Sequence, residues 1–310
     1  REEALAFFDR AVEELGEPPT EASPEWDEER AAVELGRIML QYFTSTPEVL
    51  VEQIERSGPI VEARGTALQR ALLFNSKALL GLRRERYVAS AETVEHARAG
   101  YDATLGVEPR LEVGDVRFVY AFSLLWAGRL DESERHLREL LAEAERVGYA
   151  TIQSRCVAYL ALIHRKRGDL AETRRWATRT LEVSAASGMA EYVAAAEAHL
   201  AWADLREGKT REAGERARRA FEEGEKMGGA YRVLVWIVTW PMLGVSLREG
   251  DLDRSIALAR LLLAPEAQPA TKPVREALAE AVALWEAGDG DRARARLHQA
   301  ATQAREPGYL

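Results

Sequence analysis

Arg167-Gly168-Asp169-Leu170-Ala171-Glu172-Thr173 is one copy of a turn that recurs along this chain. It returns as Ala127-Gly128-Arg129-Leu130-Asp131-Glu132-Ser133, Glu207-Gly208-Lys209-Thr210-Arg211-Glu212-Ala213, Glu249-Gly250-Asp251-Leu252-Asp253-Arg254-Ser255 and Ala287-Gly288-Asp289-Gly290-Asp291-Arg292-Ala293. Successive glycines stand 40, 40, 42 and 38 residues apart. A fixed period of this size means stacked helical hairpins. The expected fold is all-α: a right-handed α-solenoid with a period of about 40 residues. In each copy glycine ends a first helix, A, because it adopts the left-handed conformation that satisfies the last carbonyls. The Asp, Thr or Arg that follows starts a second helix, B.

Inside helix B, small or apolar residues recur at i, i+4 and i+7. They are Ser133/Leu137/Leu140, Thr173/Ala177/Thr180, Ala213/Ala217/Ala220, Ser255/Ala259/Leu262 and Ala293/Leu297/Ala300. Small side chains there let the two helices of a hairpin approach closely. Upstream the pattern continues with weaker turns: Ser90/Val94/Ala97 follows a turn near Arg84–Arg86. A helix from about Pro47 is expected to carry Thr46 as its N-cap. Residues 1–15 read as an isolated helix B with Ala4/Phe8/Ala11 on one face. Linkers are expected at Gly16–Pro24, ending in the helix start Ser23-Pro24-Glu25, and at Gly106–Gly114. In the last repeat either Gly288 or Gly290 could be the turn glycine. Residues 1–310 are expected to form one superhelical domain, with the best-defined repeats at 115–302. Pro307-Gly308-Tyr309-Leu310 matches Val147-Gly148-Tyr149-Ala150, four repeat lengths earlier. After Tyr149 a new helix A begins, so the chain is expected to be part of a larger protein.

The formal net charge of −9 argues against a segment that binds nucleic acid by neutralising phosphates. A single cysteine, Cys156, leaves no disulfide framework within the chain and suits a reducing cytoplasm, the expected location. The longest apolar run, Val233 to Val245, is shorter than a bilayer requires and contains Pro241, so no membrane partner is expected. Proline there removes one helical hydrogen bond and is expected to kink helix A beside Trp240.

Helix A, glycine turn and helix B, with Leu160-Ala161 and Leu200-Ala201 before the turn and Ala213 after it, resemble the tetratricopeptide repeat. The period departs from that family's 34 residues, and Tyr120-Ala121 and Met242-Leu243 fill the paired helix A positions only loosely. Longer repeats of this kind are similar to the superhelical sensor region of MalT-type bacterial regulators of the signal-transducing ATPase (STAND) class. The ending Ala304-Arg305-Glu306-Pro307-Gly308-Tyr309-Leu310 is similar to the segment before their LuxR-type output domain. The resemblance implies ATPase and output modules of a parent protein as partners.

Several eye-catching residues carry no chemistry. Gly208-Lys209-Thr210 looks like the end of a P-loop, but the required earlier glycine is Ala203, inside a helix. The histidines His96, His136, His164, His199 and His298 lack metal-ligand spacing, and Asp251, Asp253, Asp289 and Asp291 lack a full calcium loop. Arginines of helix B (Arg174, Arg175, Arg179, Arg211, Arg216, Arg218, Arg219) are interleaved with glutamates and read as a paired, solvated face. No cofactor and no enzymatic activity is expected.

The family resemblance implies that helix A forms the inner, concave wall. Carrying the register across places Asn75, Ser76, Phe118, Phe122, Trp126, Arg155, Tyr159, Arg165, His199, Trp202, Arg206, Trp240 and Arg248 there. The candidate ligand-binding set is Asn75, Phe118, Phe122, Arg155, Tyr159, His199, Trp202, Arg206 and Trp240. Aromatic faces supply apolar area and stacking, while guanidinium forks hold carboxylates or phosphates. The same aromatics could instead pack between helices. The expected function is a regulatory sensor that binds a small-molecule or peptide effector in its groove; a protein–protein interaction scaffold is the alternative.

Overall fold

All five recurring glycines sit in the left-handed region, with φ between +73° and +83°. Each therefore ends its helix A as the turn pattern predicts. In three copies the next residue caps helix B. The carboxylates of Asp169, Asp251 and Asp289 accept hydrogen bonds from the amides of Glu172, Arg254 and Arg292 at 3.0–3.1 Å. Gly288 is the turn glycine of the last copy, and Gly290 is already helical.

The computed structural model describes residues 2–16, 23–42, 45–227, 232–265 and 267–310. Among them the chain forms fifteen helices and no strand. Two compact units divide it, Arg1–His136 and Leu137–Leu310. The first contains α1 (Glu2–Leu15), α2 (Pro24–Gln41), α3 (Pro47–Arg64), α4 (Ala67–Arg84), α5 (Ala91–Ala103), α6 (Leu111–Trp126) and the start of α7 (Leu130–Val147). The second holds the rest of α7, then α8 (Ala150–Lys166), α9 (Leu170–Ala186), α10 (Ala190–Arg206) and α11 (Thr210–Met227). It ends with α12 (Arg232–Glu249), α13 (Leu252–Leu263), α14 (Lys272–Glu286) and α15 (Gly290–Gln303). In the first unit α2 touches α4 and α4 touches α6. In the second, α8 touches α10 and α10 touches α12. Helix A of one hairpin thus packs on helix A of the next, as stacking requires.

The small-residue stripe of helix B is where the sequence pattern places it. Thr173, Ala177 and Thr180, Ala213 and Ala217, Ser255 and Ala259, and Ala293, Leu297 and Ala300 are all fully buried. The hydroxyls on this stripe are used. Ser133 donates to the Ala121 carbonyl at 2.7 Å, and Ser255 pairs with Ser246 of α12 at 2.8 Å. Upstream, Ser23 accepts from the Trp26 amide at the start of α2, and Thr46 with Pro47 opens α3. In the first unit Phe8 packs on Gly36, where a Cβ would come within 2.6 Å of the ring.

Of three further details, one differs from the sequence expectation, one agrees with it and one falls outside the described residues. The second linker is shorter than Gly106–Gly114, because α6 begins at Leu111 and takes in Gly114. Pro241 lies inside α12, as its expected place in helix A requires, and the helix continues through it to Glu249. Most of the first linker (residues 17–22), Thr44, and the side chains of Ala4, Val233 and Leu234 lie outside the described residues.

Six of the seven helix B arginines, Arg174, Arg175, Arg179, Arg211, Arg216 and Arg219, pair with carboxylates among the described residues, as their interleaving predicts. Arg175 meets Glu172 at 2.5 Å, Arg179 meets Glu145 at 2.5 Å, and Arg211 meets Glu215 at 3.1 Å. One carboxylate here is more than a surface partner. Asp204 of α10 is 4 % exposed and accepts from Arg174 of α9 at 2.8 Å and from Arg216 of α11 at 3.0 Å. It ties helix B of one hairpin to helix B of the next. Asp204→Ala should lower stability by about 2 kcal/mol, less than a fully buried pair because both arginines are one-third exposed. A urea titration checks this, and an unchanged midpoint would refute it.

Candidate functional site

The site is built on α8, α10 and α12 of the second unit. Its centre is Arg165, the penultimate residue of α8, which is 0 % exposed. Among the described residues it forms no ion pair. Instead its guanidinium donates to three carbonyls: Nη1 to Ile237 at 2.9 Å, Nε to Gly308 at 3.1 Å and Nη2 to Tyr309 at 2.7 Å. Its charge also lies over the rings of Trp202 and Trp236, each 5.7 Å away. Burial lowers its pKa, disfavouring the charged form.

The Ile237 contact explains why α12 tolerates Pro241. Proline has no N–H, so the carbonyl four residues earlier loses its helical donor. That carbonyl belongs to Ile237, and Arg165 supplies the missing hydrogen bond from another helix.

The other two carbonyls belong to the segment after α15, which lies on the same wall. Gly308, with φ +74°, turns the chain as its sequence match Gly148 does. The amides of Tyr309 and Leu310 both donate to the Ala304 carbonyl, at 2.9 and 3.0 Å. Tyr309 then stacks on Trp240 with centroids 5.0 Å apart and planes 18° apart, and meets the edge of Trp236 at 5.9 Å. Leu310 is buried over Gly244, where a Cβ would come within 2.9 Å of its side chain. Its carbonyl accepts from Arg206 at 3.1 Å. Three consecutive main-chain carbonyls, those of Gly308, Tyr309 and Leu310, are thus held by two arginines. Beside Leu310 a small cavity of about 100 Å³ is lined by Arg206, Arg248, Arg305 and His298.

Two further titratable groups face this centre. Lys166 is pushed down to about 8 by burial and by the Arg165 charge. His199 of α10 is fully buried, and its pKa lies well below the usual imidazole value, first from burial and then from Arg165. Its Nδ1 has no hydrogen-bond partner among the described residues. The imidazole is therefore neutral in the folded chain and protonates in the unfolded chain below about pH 6.5. There the unfolded state binds more protons, so stability is fully present above that pH and falls as pH drops. From pH 6.5 to 5.5 the loss approaches about 1 kcal/mol from this residue. Denaturant titrations of wild type and His199→Gln test this, and parallel pH profiles would refute it.

Of the candidate residues, His199, Trp202, Arg206 and Trp240 come together around Arg165. Trp202 is fully buried, and Arg206 lies 5.5 Å over its ring. Arg155 and Tyr159 also lie on α8, but ten and six residues before Arg165, roughly 15 and 9 Å along the axis. Tyr159 meets Tyr192 edge-on at 6.4 Å. Asn75, Ser76, Phe118, Phe122 and Trp126 belong to the first unit and are buried there. Phe118 and Phe122 stack at 5.6 Å, Phe122 meets Trp126 at 5.7 Å, and Asn75 points its amide at Met39 Sδ, 3.6 Å away. Arg248 bonds Thr210 at 3.2 Å.

Sequence reasoning missed Trp236, Tyr309 and Leu310, and ranked Arg165 outside the final set. Pro241 held a usable signal for Arg165: an orphaned carbonyl in a buried helix demands a donor from elsewhere. Elsewhere, Gly208-Lys209-Thr210 is an ordinary turn whose lysine bonds Glu207 at 2.6 Å. Cys156 is fully buried, with its thiol pKa pushed up by burial. Among the described residues no group of His, Cys, Asp and Glu could hold a metal, and no helix is long and apolar enough to cross a membrane.

No protein-family model and no curated protein sequence matches this chain. Solved structures do. It superposes on a Rap protein complexed with Competence and Sporulation Factor, with a TM-score of 0.64 and 14 % identity over 98 % of this chain and 85 % of that one. It also superposes on aspartyl phosphate phosphatase F from Bacillus subtilis, with a TM-score of 0.60 and 13 % identity over 90 % and 72 %. At such identities the likeness establishes the fold: this chain has the helical-repeat architecture that those proteins share.

Proposed function

We propose that the chain is a non-enzymatic sensor module of a bacterial regulator, and that the Arg165–Trp240 wall of its second unit binds a peptide effector. The grip on three consecutive main-chain carbonyls of residues 308–310 carries this reading. Carbonyls recur along any peptide, so two arginines spaced to hold three of them recognise peptide backbone. The indole faces of Trp236 and Trp240 add side-chain selection. The Rap structure, complexed with Competence and Sporulation Factor, supports a wall that holds an effector. The resemblance to MalT-type regulators supports a module that works beside an ATPase and an output domain in a cytoplasmic protein.

Selection of a displayed peptide library on the full chain tests the reading. Selected peptides, synthesised and labelled, should lose at least tenfold in affinity on Trp240→Ala and on Arg206→Ala, since Trp and Arg dominate binding energetics. At 100 times its dissociation constant such a peptide should stabilise the chain by about 2.7 kcal/mol. Failure to select any peptide, or equal affinity for wild type and both variants, would refute it.

A further inference from the structure

We infer that Gly308-Tyr309-Leu310 is an internal pseudo-ligand: it occupies the recognition wall in the place of the peptide, and an incoming peptide must expel it. This rests on the peptide-binding reading above. The segment makes every contact such a ligand needs, with carbonyls on Arg165 and Arg206, an aromatic ring stacked on Trp240, and an aliphatic side chain over Gly244. The effector it excludes is a short peptide with an aromatic residue followed by an aliphatic one.

The repeat register supports a role beyond packing. Gly308-Tyr309 occupies the register of Gly148-Tyr149, where the chain turns and starts the next helix A at Ala150. At Gly308 the same turn, with the same positive φ, brings Tyr309 and Leu310 against the α8–α12 wall. The wall needs a filler there. Arg165 is buried without a carboxylate, so removing two carbonyls obliges it to find replacements, and a peptide backbone supplies the same groups. Release of one occupant and capture of the other are therefore linked, and the linkage reports peptide binding to whatever reads the position of residues 308–310.

Gly308 is the point of control. A Cβ there would sit 2.5 Å from the Arg165 carbonyl oxygen and 2.6 Å from Lys166 Cα, both main-chain atoms that cannot rotate away. Gly308→Ala should thus drive the segment off the wall. Gly128→Ala is the control, having the same kind of turn (φ +79°) with nothing within 4 Å of the added methyl. Tyr309→Ser is a second release variant that leaves the backbone unstrained.

The test uses the full chain and a fluorescein-labelled synthetic peptide of residues 304–310, read by anisotropy, with hydrogen exchange at the Tyr309 and Leu310 amides. Gly308→Ala and Tyr309→Ser should both bind the peptide at least tenfold more tightly than wild type and Gly128→Ala. Both should also lose amide protection at 309 and 310. Retained protection in both release variants would overturn the inference, as would lost protection with no gain in affinity. Peptides selected from the library that bind wild type and the release variants equally would overturn the exchange alone, leaving the peptide-binding reading intact.

Discussion

Arg165→Ala should destabilise the second unit by about 3–5 kcal/mol, the range for breaking a buried charged network. The substitution does three things at once. It leaves the Ile237, Gly308 and Tyr309 carbonyls without their donor, and buried unsatisfied acceptors cost about 1–3 kcal/mol each. It opens a void between Trp202 and Trp236, and it leaves α12 unsupported at Pro241, where no helical amide can take over the Ile237 carbonyl. One term runs the other way, because a buried guanidinium no longer has to be desolvated. Arg165→Met separates these contributions. It fills most of the volume and removes the charge, so it should cost less than Arg165→Ala, about 1–2 kcal/mol. Denaturant unfolding measures both, and hydrogen exchange in α12 locates the effect. A loss below about 1 kcal/mol for the alanine variant would mean that water or another side chain satisfies the three carbonyls.

Trp202→Ala should cost about 3–5 kcal/mol, as expected for deleting a fully buried indole. Trp202 is the middle of the wall, with the guanidinium groups of both Arg165 and Arg206 over its ring. Losing the ring removes packing area and the aromatic face that both cations use, so peptide binding should fall together with stability. Trp202→Phe is the informative companion. The indole Nε1 is buried without a hydrogen-bond partner, so phenylalanine removes an unsatisfied donor while keeping a ring. Its cost should stay under about 1.5 kcal/mol. If phenylalanine proved as damaging as alanine, the indole nitrogen would have a role that its surroundings do not reveal.

The same site shows how far local sequence signals reach. The glycine turns, the aspartate caps and the buried small-residue stripe were all legible, because each depends on residues within one turn or one hairpin of each other. Glycine alone enters the left-handed region without strain, and only small side chains permit close helix approach. The paired arginines of helix B were legible for the same reason. The inner wall was legible in part: register carried over from tetratricopeptide repeats brought out His199, Trp202, Arg206 and Trp240. It also brought out Arg155 and Tyr159, which lie farther along α8, and the aromatics of α6, which pack on one another within the first unit. A register says which face a residue is on. It does not say what lies opposite.

By itself, then, the amino-acid sequence determined a stack of helical hairpins, the places where helices begin and end, and the helix face that carries His199, Trp202, Arg206 and Trp240. Tertiary structure alone decided that Arg165 is the centre and that Gly308-Tyr309-Leu310 lies upon it. Those partners stand 143 and 144 residues from Arg165 along the chain, and Ile237 stands 72 residues away. No helical or turn periodicity relates positions so far apart. Their meeting follows from a physical demand that only the folded chain can meet: a buried guanidinium must find acceptors, and the carbonyl freed by Pro241 must find a donor.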